Sequence, residues 1–81
     1  MLGPVENDAG GGLSTRNRFR GVVRSIDVDG VMATVEIEAG PHRITAAITR
    51  NAVEDMGIEV GDEATALVKA TSVMVMRGHH G

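Results

Sequence analysis

The stretch Lys69-Ala70-Thr71-Ser72-Val73-Met74-Val75 joins two segments of opposite character. Its first half holds a cation and two hydroxyl groups, and its second half is apolar at consecutive positions. A half-buried strand alternates polar and apolar residues, so consecutive apolar residues need cover on both faces. We therefore predict a strand from Val73 to Met76 that packs on its own core and on a neighbouring subunit.

Four more strands are predicted before this stretch. Their apolar and β-branched residues place them from Arg18 to Val28, Val31 to Glu38, Ile44 to Ile48 and Glu63 to Lys69. The glycine inside the first of them predicts a bend or bulge at Gly21. Asp29-Gly30 predicts a type I′ hairpin turn, in which both central residues have a positive φ.

One short helix is predicted before the fourth strand. Asn51 and Glu54 have the spacing of a capping box, and Gly57 stands where a C-terminal cap is expected. Five short strands with a small helix in this position are typical of a five-stranded barrel of the oligonucleotide/oligosaccharide-binding (OB) type. The predicted fold class is all-β with one short helix. Because this barrel hosts many ligands, its function needs separate arguments.

The length of 81 residues predicts a single domain. Residues 14–76 are expected to fold, residues 1–13 to form a flexible N-terminal tail, and residues 77–81 a frayed C-terminal tail. Deletion of residues 1–12 is then expected to change neither assembly nor ligand binding. A chain this short buries a modest core and contains no cysteine, so oligomerisation is the remaining common source of stability.

Composition argues against several functions. The chain has eight basic and eleven acidic residues, and Phe19 is its single aromatic residue. Nucleic-acid-binding proteins usually present a basic surface or stacking aromatic rings, so no nucleic acid is expected as a partner. No apolar run approaches a membrane span and the N-terminus lacks the features of a secretory signal, so no membrane partner is expected. These observations favour a cytoplasmic protein.

Two end motifs and the segment between them resemble one protein family. Ser14-Thr15-Arg16-Asn17-Arg18 resembles the first motif of the molbindins, and Lys69-Ala70-Thr71-Ser72-Val73-Met74-Val75 is close to their C-terminal signature. Val53 to Gly57 and Ile58 to Glu63 resemble the family's helical segment and the turn after it. Molbindins are small molybdenum-pterin-binding or molybdate-binding proteins. Their TOBE-type domain recurs in molybdate transport ATPases and molybdate-responsive regulators.

The resemblance implies a molybdate site at a subunit interface and a homohexamer built as a trimer of dimers. The ligands implied at matching positions are Ser14, Arg16, Asn17, Thr49, Lys69, Ala70 and Ser72. Thr71 joins this set because it offers a further hydroxyl group within the last motif. The chain departs from the family at Ala52, where many members have a serine, so that hydroxyl group is missing here.

These residue types suit molybdate, a tetrahedral dianion whose oxygen atoms only accept hydrogen bonds. Lys69 supplies positive charge. Hydroxyl groups come from Ser14, Thr71 and Ser72, and backbone N–H groups complete a shell made only of donors. Phosphate is partly protonated near neutral pH, and its proton finds no acceptor in such a shell. Taken singly, Lys69 and Arg16 are better explained as solvated surface charges, and the two motifs together favour a site.

The leading hypothesis is a non-catalytic intracellular protein that binds molybdate for molybdenum storage and homeostasis. Tungstate and pterin-bound molybdenum stay open as ligands, and neither an organic cofactor nor direct cation ligands are expected. The alternatives are a nucleic-acid-binding module of OB type and a free regulatory module of a molybdate transport or regulation system. An enzyme is disfavoured because the sequence offers no nucleophile with a base partner.

Overall fold

The structure, a computed structural model, describes residues 5–7 and 16–78. These residues form a curled antiparallel sheet of five strands with one α-helix. The elements in chain order are β1 (Val5–Asn7), β2 (Arg16–Asp29), β3 (Met32–Ala39), β4 (His42–Thr49), α1 (Arg50–Met56) and β5 (Glu63–Lys69), and then a 3-10 helix (Ala70–Ser72). The predicted class, all-β with one short helix, is confirmed.

The sheet is built around β2. Val22 pairs with Glu38 of β3 and also with Glu63 of β5, so β3 and β5 lie on opposite edges of β2. Phe19 pairs with both β1 and β5, which places β1 opposite β5 as well. It follows that β1 and β3 lie one after the other along the same edge of β2. β4 pairs with β3 from Met32 to Ala39.

A β-bulge in β2 increases the local twist of the sheet. The register between β2 and β3 shifts between Val23 and Ser25, so the prediction of a bulge at Gly21 is wrong in position. Gly21 is required for a different reason. A Cβ atom added there would overlap with the backbone carbonyl group of Glu38. The glycine therefore marks a close approach of two backbones.

The β2–β3 hairpin closes where it was predicted, but with a different turn. Asp29 pairs with Met32, so the two loop residues are Gly30 and Val31. Gly30 has a φ of 64°, and no non-glycine residue in the described ranges has a positive φ. A type I′ turn needs two positive φ angles, so that turn type is wrong.

The caps of α1 confirm one prediction and correct another. The helix ends at Gly57, whose φ of 66° is left-handed and whose N–H donates to the carbonyl oxygens of Val53 and Glu54. The N-cap is Thr49, and Asn51 lies inside the helix. A threonine hydroxyl is also an N-cap group, so the helix begins two residues earlier than the Asn51–Glu54 spacing predicted.

The core is small and aliphatic. Its buried residues are Val23, Ala33, Val35, Ile37, Ala39 and Ala66. Four of these are alternate residues of β3, whose outer neighbours Thr34 and Glu38 are exposed. Phe19 packs against this cluster but stays partly exposed. A core of this size gives a single chain limited stability.

The predicted strand from Val73 to Met76 is wrong for the single chain. After the 3-10 helix this segment forms no strand, and its exposed fractions are 48% for Val73, 92% for Met74, 92% for Val75 and 91% for Met76. The segment is apolar at consecutive positions, as the prediction assumed, but within one chain neither of its faces is covered by packing against other residues. A strand needs an edge to pair with, and this segment pairs with no edge of its own described sheet.

Three residues of the predicted N-terminal tail belong to the sheet. β1 places Val5, Glu6 and Asn7 opposite Phe19, Arg18 and Asn17 of β2, respectively. A three-residue strand is too short to give an alternating pattern, so the sequence carried no signal for it. The other residues of the predicted tail lie outside the described ranges. The structure has no α-helix among the described residues that is long and apolar enough to cross a membrane.

Candidate anion-binding site

The first and last motifs of the chain meet where β2 begins and β5 ends. Arg16 pairs with Lys69, and Asn17 pairs with Val68. Burial along β5 alternates as predicted, so Lys69 is exposed while Val68 is half-buried. The sheet register thus brings Arg16 and Asn17 beside Lys69, which comes far later in the sequence. Because successive side chains of a strand point to opposite faces, Asn17 shares the inner face with Val68, while Arg16 and Lys69 share the outer face.

Arg16 and Lys69 are like charges at directly opposite positions of neighbouring strands. Side chains at such positions have Cβ atoms about 4.5–5.5 Å apart, and like charges there destabilise the sheet. An anion bound beside them is attracted by both charges. The pair therefore favours an anionic ligand at this corner of the sheet.

Asn17 is held by the same pair of strands. Its side chain is half-buried, and its Nδ2 donates to the carbonyl oxygen of Val68 at 3.4 Å. An amide nitrogen carries two hydrogen atoms, so one donor is left, and it lies on the face of the sheet opposite Arg16 and Lys69. This contact also fixes the first motif against β5.

The last motif continues from Lys69 into the 3-10 helix Ala70–Ser72. This turn is closed by a hydrogen bond from the Val73 N–H to the Ala70 carbonyl oxygen, at 3.3 Å. The side chains of Thr71 and Ser72 are exposed directly after Lys69. One cation and two hydroxyl groups are therefore accessible together, which is the donor chemistry that an oxyanion requires.

Thr49 is not brought to this corner within one chain. It pairs with Met32, which pairs with Asp29 at the last residue of β2, whereas Lys69 pairs with the first residue, Arg16. The predicted ligands therefore form two groups, at opposite ends of β2. The remaining candidate, Ser14, lies outside the described residues.

The Thr49 hydroxyl already has a structural role. Its Oγ1 accepts a hydrogen bond from the N–H of Ala52 at 3.0 Å. The hydroxyl proton is not used in this contact and can be donated to a ligand. Ala52, the position at which the chain departs from many molbindins, contributes only its backbone to this cap.

An apolar groove separates β4 from β5, and no pattern in the sequence predicted it directly. In the described ranges, β4 pairs only with β3 and β5 only with β2. The groove between them has a volume of about 650 Å³. Its lining includes Ile44 and Ile48 of β4 and Ala64 and Val68 of β5. The sheet is therefore open along one apolar seam.

The described residues contain no group of three or more His, Cys, Asp or Glu side chains that could hold a metal ion. The chemistry gathered at the β2–β5 corner consists of cations, an amide and hydroxyl groups, which bind anions. The curled sheet and the position of the helix define a small OB-like β-domain. The corner where β2 begins and β5 ends gives this domain a candidate oxyanion site. The sequence model of the TOBE domain matches residues 13–75, so the chain belongs to the TOBE domain family.

Individual relatives agree with this assignment. The chain is 42% identical over 64 residues to a probable molybdenum-pterin-binding protein of Haemophilus influenzae, covering 78% of this chain and 93% of that protein. It is 40% identical over 65 residues to molybdenum-pterin-binding protein 2 of Clostridium pasteurianum, covering 79% of this chain and 96% of that protein. The resemblance to the molbindins, stated from the two end motifs, is confirmed.

Solved structures confirm the fold. The molybdate-binding protein from Sporomusa ovata superimposes with a TM-score of 0.73 and 36% identity, covering 75% of this chain and 91% of that chain. MopII from Clostridium pasteurianum superimposes with a TM-score of 0.72 and 36% identity, covering 74% of this chain and 91% of that chain. The OB-like class predicted from strand and helix order is therefore confirmed.

Proposed function

We propose that this protein is a non-catalytic cytoplasmic molybdate-binding protein that serves molybdenum storage and homeostasis. The observation that carries the proposal is the pairing of Arg16 with Lys69, directly before the exposed hydroxyl groups of Thr71 and Ser72. The names of the relatives support molybdate as the anion. Tungstate, which has the same shape and charge, is expected to bind as well.

The predominance of donors at this corner favours the fully deprotonated molybdate over a partly protonated phosphate. Lys69 and Arg16 supply charge, and the hydroxyl and amide groups supply directed hydrogen bonds. Hydrogen bonds to charged groups contribute about 1.5–3 kcal/mol each, so several of them reach the roughly 8 kcal/mol of micromolar binding. A protonated phosphate loses part of this energy, because its own proton needs an acceptor and takes a hydroxyl oxygen of Thr71 or Ser72 away from the donor shell.

A single copy supplies only part of a binding shell. Lys69, Thr71 and Ser72 are exposed, and Thr49 belongs to the opposite end of β2. A shell that uses both groups therefore needs at least two copies. This supports a homo-oligomer with sites at its interfaces, and the hexamer built as a trimer of dimers is the assembly that the resemblance implies.

The open seam supports a specific way for copies to join. It is apolar, and it has unpaired strand edges on both sides in the described chain. The exposed segment Val73–Met76 is apolar on both faces, as a strand inserted into that seam has to be. In the proposed assembly this segment of one copy lies in the seam of another.

Titration calorimetry with molybdate, tungstate, sulfate and phosphate tests the proposed function. We expect saturable binding of molybdate and tungstate, with clearly lower affinity for phosphate, and the sulfate titration reports how far the site selects among tetrahedral dianions. Sedimentation equilibrium on the same samples gives the number of chains in the binding species. Absence of binding for all four anions, or equal affinity for all four, would show that the corner is not a molybdate site.

A further inference from the structure

Methionine residues stand on both sides of the contact proposed between copies. Met74 and Met76 belong to the segment proposed to enter the seam, and Met56 lines the seam itself. In the single chain Met74 and Met76 are 92% and 91% exposed, against 58% for Met56. Met32 on β3 is 43% exposed and does not line the seam. Within the described residues, the thioether groups of Met74 and Met76 are therefore the most accessible ones.

The shape of the seam indicates which face of the segment enters it. Successive side chains of an extended segment point to opposite faces, so Met74 and Met76 share one face and Val73 and Val75 share the other. The walls of the seam carry short side chains on both strands, among them Ala46, Ala64 and Ala66. Short walls around a volume of about 650 Å³ leave room for long side chains. Methionine is long, unbranched and fills irregular gaps, so the methionine face suits the interior of the seam.

We propose that Met74 and Met76 form a site of reversible oxidation that controls the assembly of copies. The O–O bond of hydrogen peroxide breaks as an S–O bond forms, so the thioether sulfur loses two electrons and the second oxygen leaves as water. The product is methionine sulfoxide, which methionine sulfoxide reductases convert back to the thioether. This site rests on the proposed function and adds a regulation to it, because the candidate anion sites are proposed to lie between copies.

A sulfoxide at either position opposes entry of the segment into the seam. Its oxygen is polar, and burial of a polar group without a hydrogen-bond partner is unfavourable. For each buried sulfoxide, the concentration at which half of the chains are assembled should rise by about fivefold to a hundredfold. Chains oxidised before assembly therefore stay apart, whereas assembled copies cover the same sulfur atoms. Molybdate bound between copies stabilises the assembly by mass action and so protects both methionines from oxidation.

Size-exclusion chromatography of the peroxide-treated whole chain, with peptide mass spectrometry of each fraction, tests the proposal. At a limiting dose of hydrogen peroxide, we expect the sulfoxides of Met74 and Met76 in the fraction of single chains and the unoxidised residues in the assembled fraction. Treatment of the single chains with methionine sulfoxide reductase should restore the assembled mass. Excess molybdate present during oxidation should lower the yield of both sulfoxides.

The double variant Met74→Leu/Met76→Leu isolates the two sulfur atoms. Leucine keeps the volume and the apolar character of methionine but cannot be oxidised in this way, so the variant should assemble. We expect it to keep its mass at the peroxide dose that dissociates the wild type. Met32→Leu is the matched control and should dissociate like the wild type, because Met32 does not line the seam. Light scattering measures the mass of all three forms before and after treatment.

The outcomes separate the oxidation site from the proposed function. If wild-type chains with both sulfoxides keep the assembled mass, or if the double variant dissociates as the wild type does, the oxidation site is wrong and the function stands. If the double variant does not assemble before treatment, the wild-type fractions decide, and an equal sulfoxide content in both fractions overturns the site. If the untreated wild type consists of single chains, the site has no assembly to control and is also wrong. Failure of the untreated protein to bind any of the four oxyanions overturns the proposed function, whatever the effect of peroxide on its mass.

Discussion

Lys69 is the residue on which the candidate site most depends. It is exposed at the end of β5 and lies on the face opposite the core residues of that strand, so the fold does not need its charge. We expect Lys69→Ala to weaken molybdate binding by about 1.5–3 kcal/mol, the range for hydrogen bonds to charged groups. Lys69→Arg should also bind less well, because a planar guanidinium does not replace a compact ammonium group.

Calorimetry on Lys69→Ala measures this loss, and sedimentation confirms that assembly is unchanged. Arg43→Ala is the matched control, since Arg43 is an exposed cation on β4 that pairs with Glu36 at 3.6 Å. If Lys69→Ala binds molybdate with the wild-type affinity, hydroxyl and backbone N–H groups hold the anion without Lys69.

Gly21 is the residue on which the packing of β2 against β3 most depends. Gly21→Ala forces a methyl group against the backbone of Glu38, and the strands must separate to accept it. We expect a loss of about 1–3 kcal/mol in the free energy of unfolding, as is typical of overpacking. Gly78→Ala is the control, because a Cβ atom there has open space around it. Urea denaturation measures the free energy of unfolding of both variants. Equal values for Gly21→Ala and Gly78→Ala would mean that β2 and β3 separate to accept the methyl group without loss of stability.

At the scale of elements, the beginning of α1 gives a separate test. Thr49→Ala removes the hydroxyl that caps the helix and should lower the free energy of unfolding by about 1 kcal/mol. Thr49→Ser keeps the hydroxyl and should restore it. Asn51→Ala should have little effect, because Asn51 is an exposed residue within the helix. Thermal denaturation followed by circular dichroism distinguishes these cases. A large decrease in the free energy of unfolding of Asn51→Ala would show that Asn51, and not Thr49, caps the helix.

Elements with a local cause were predictable from the sequence. The alternation in β3 and the glycine that ends α1 at Gly57 are set by neighbouring residues, and both were predicted. The bulge after Val23 depends on pairing with β3, and β1 depends on an edge supplied by β2, so neither had a local signal. The meeting of Arg16 and Lys69 is likewise a product of sheet register. Only the resemblance to a known family joined these two residues in advance.

At the scale of the whole molecule, the exposed segment Val73–Met76 predicts how assembly fails. Val75→Asp places a charge in the segment proposed to enter the apolar seam of another copy. Burial of an unpaired charge is strongly unfavourable, so we expect the assembly to dissociate toward single chains of 8.5 kDa. Val31→Asp is the matched control, because Val31 is a valine with an exposed fraction of 79% in the β2–β3 turn.

Light scattering over a range of concentrations measures the mass of both variants. An unchanged mass for Val75→Asp would show that copies join through another surface. Single chains in the wild-type protein at micromolar concentration would remove the basis of the interface sites as well.

The position of the apolar segment also bears on how the protein is made. Val73–Met76 follows β5, so a ribosome synthesises it only after all five strands. Chains fold from the N-terminus as they emerge, and exposed apolar surface on unfinished chains promotes aggregation. Neighbouring chains that are translated from one messenger RNA can therefore form most of their sheet before the apolar residues Val73–Met76 are exposed. The order of translation separates the folding of each copy from its encounter with the next.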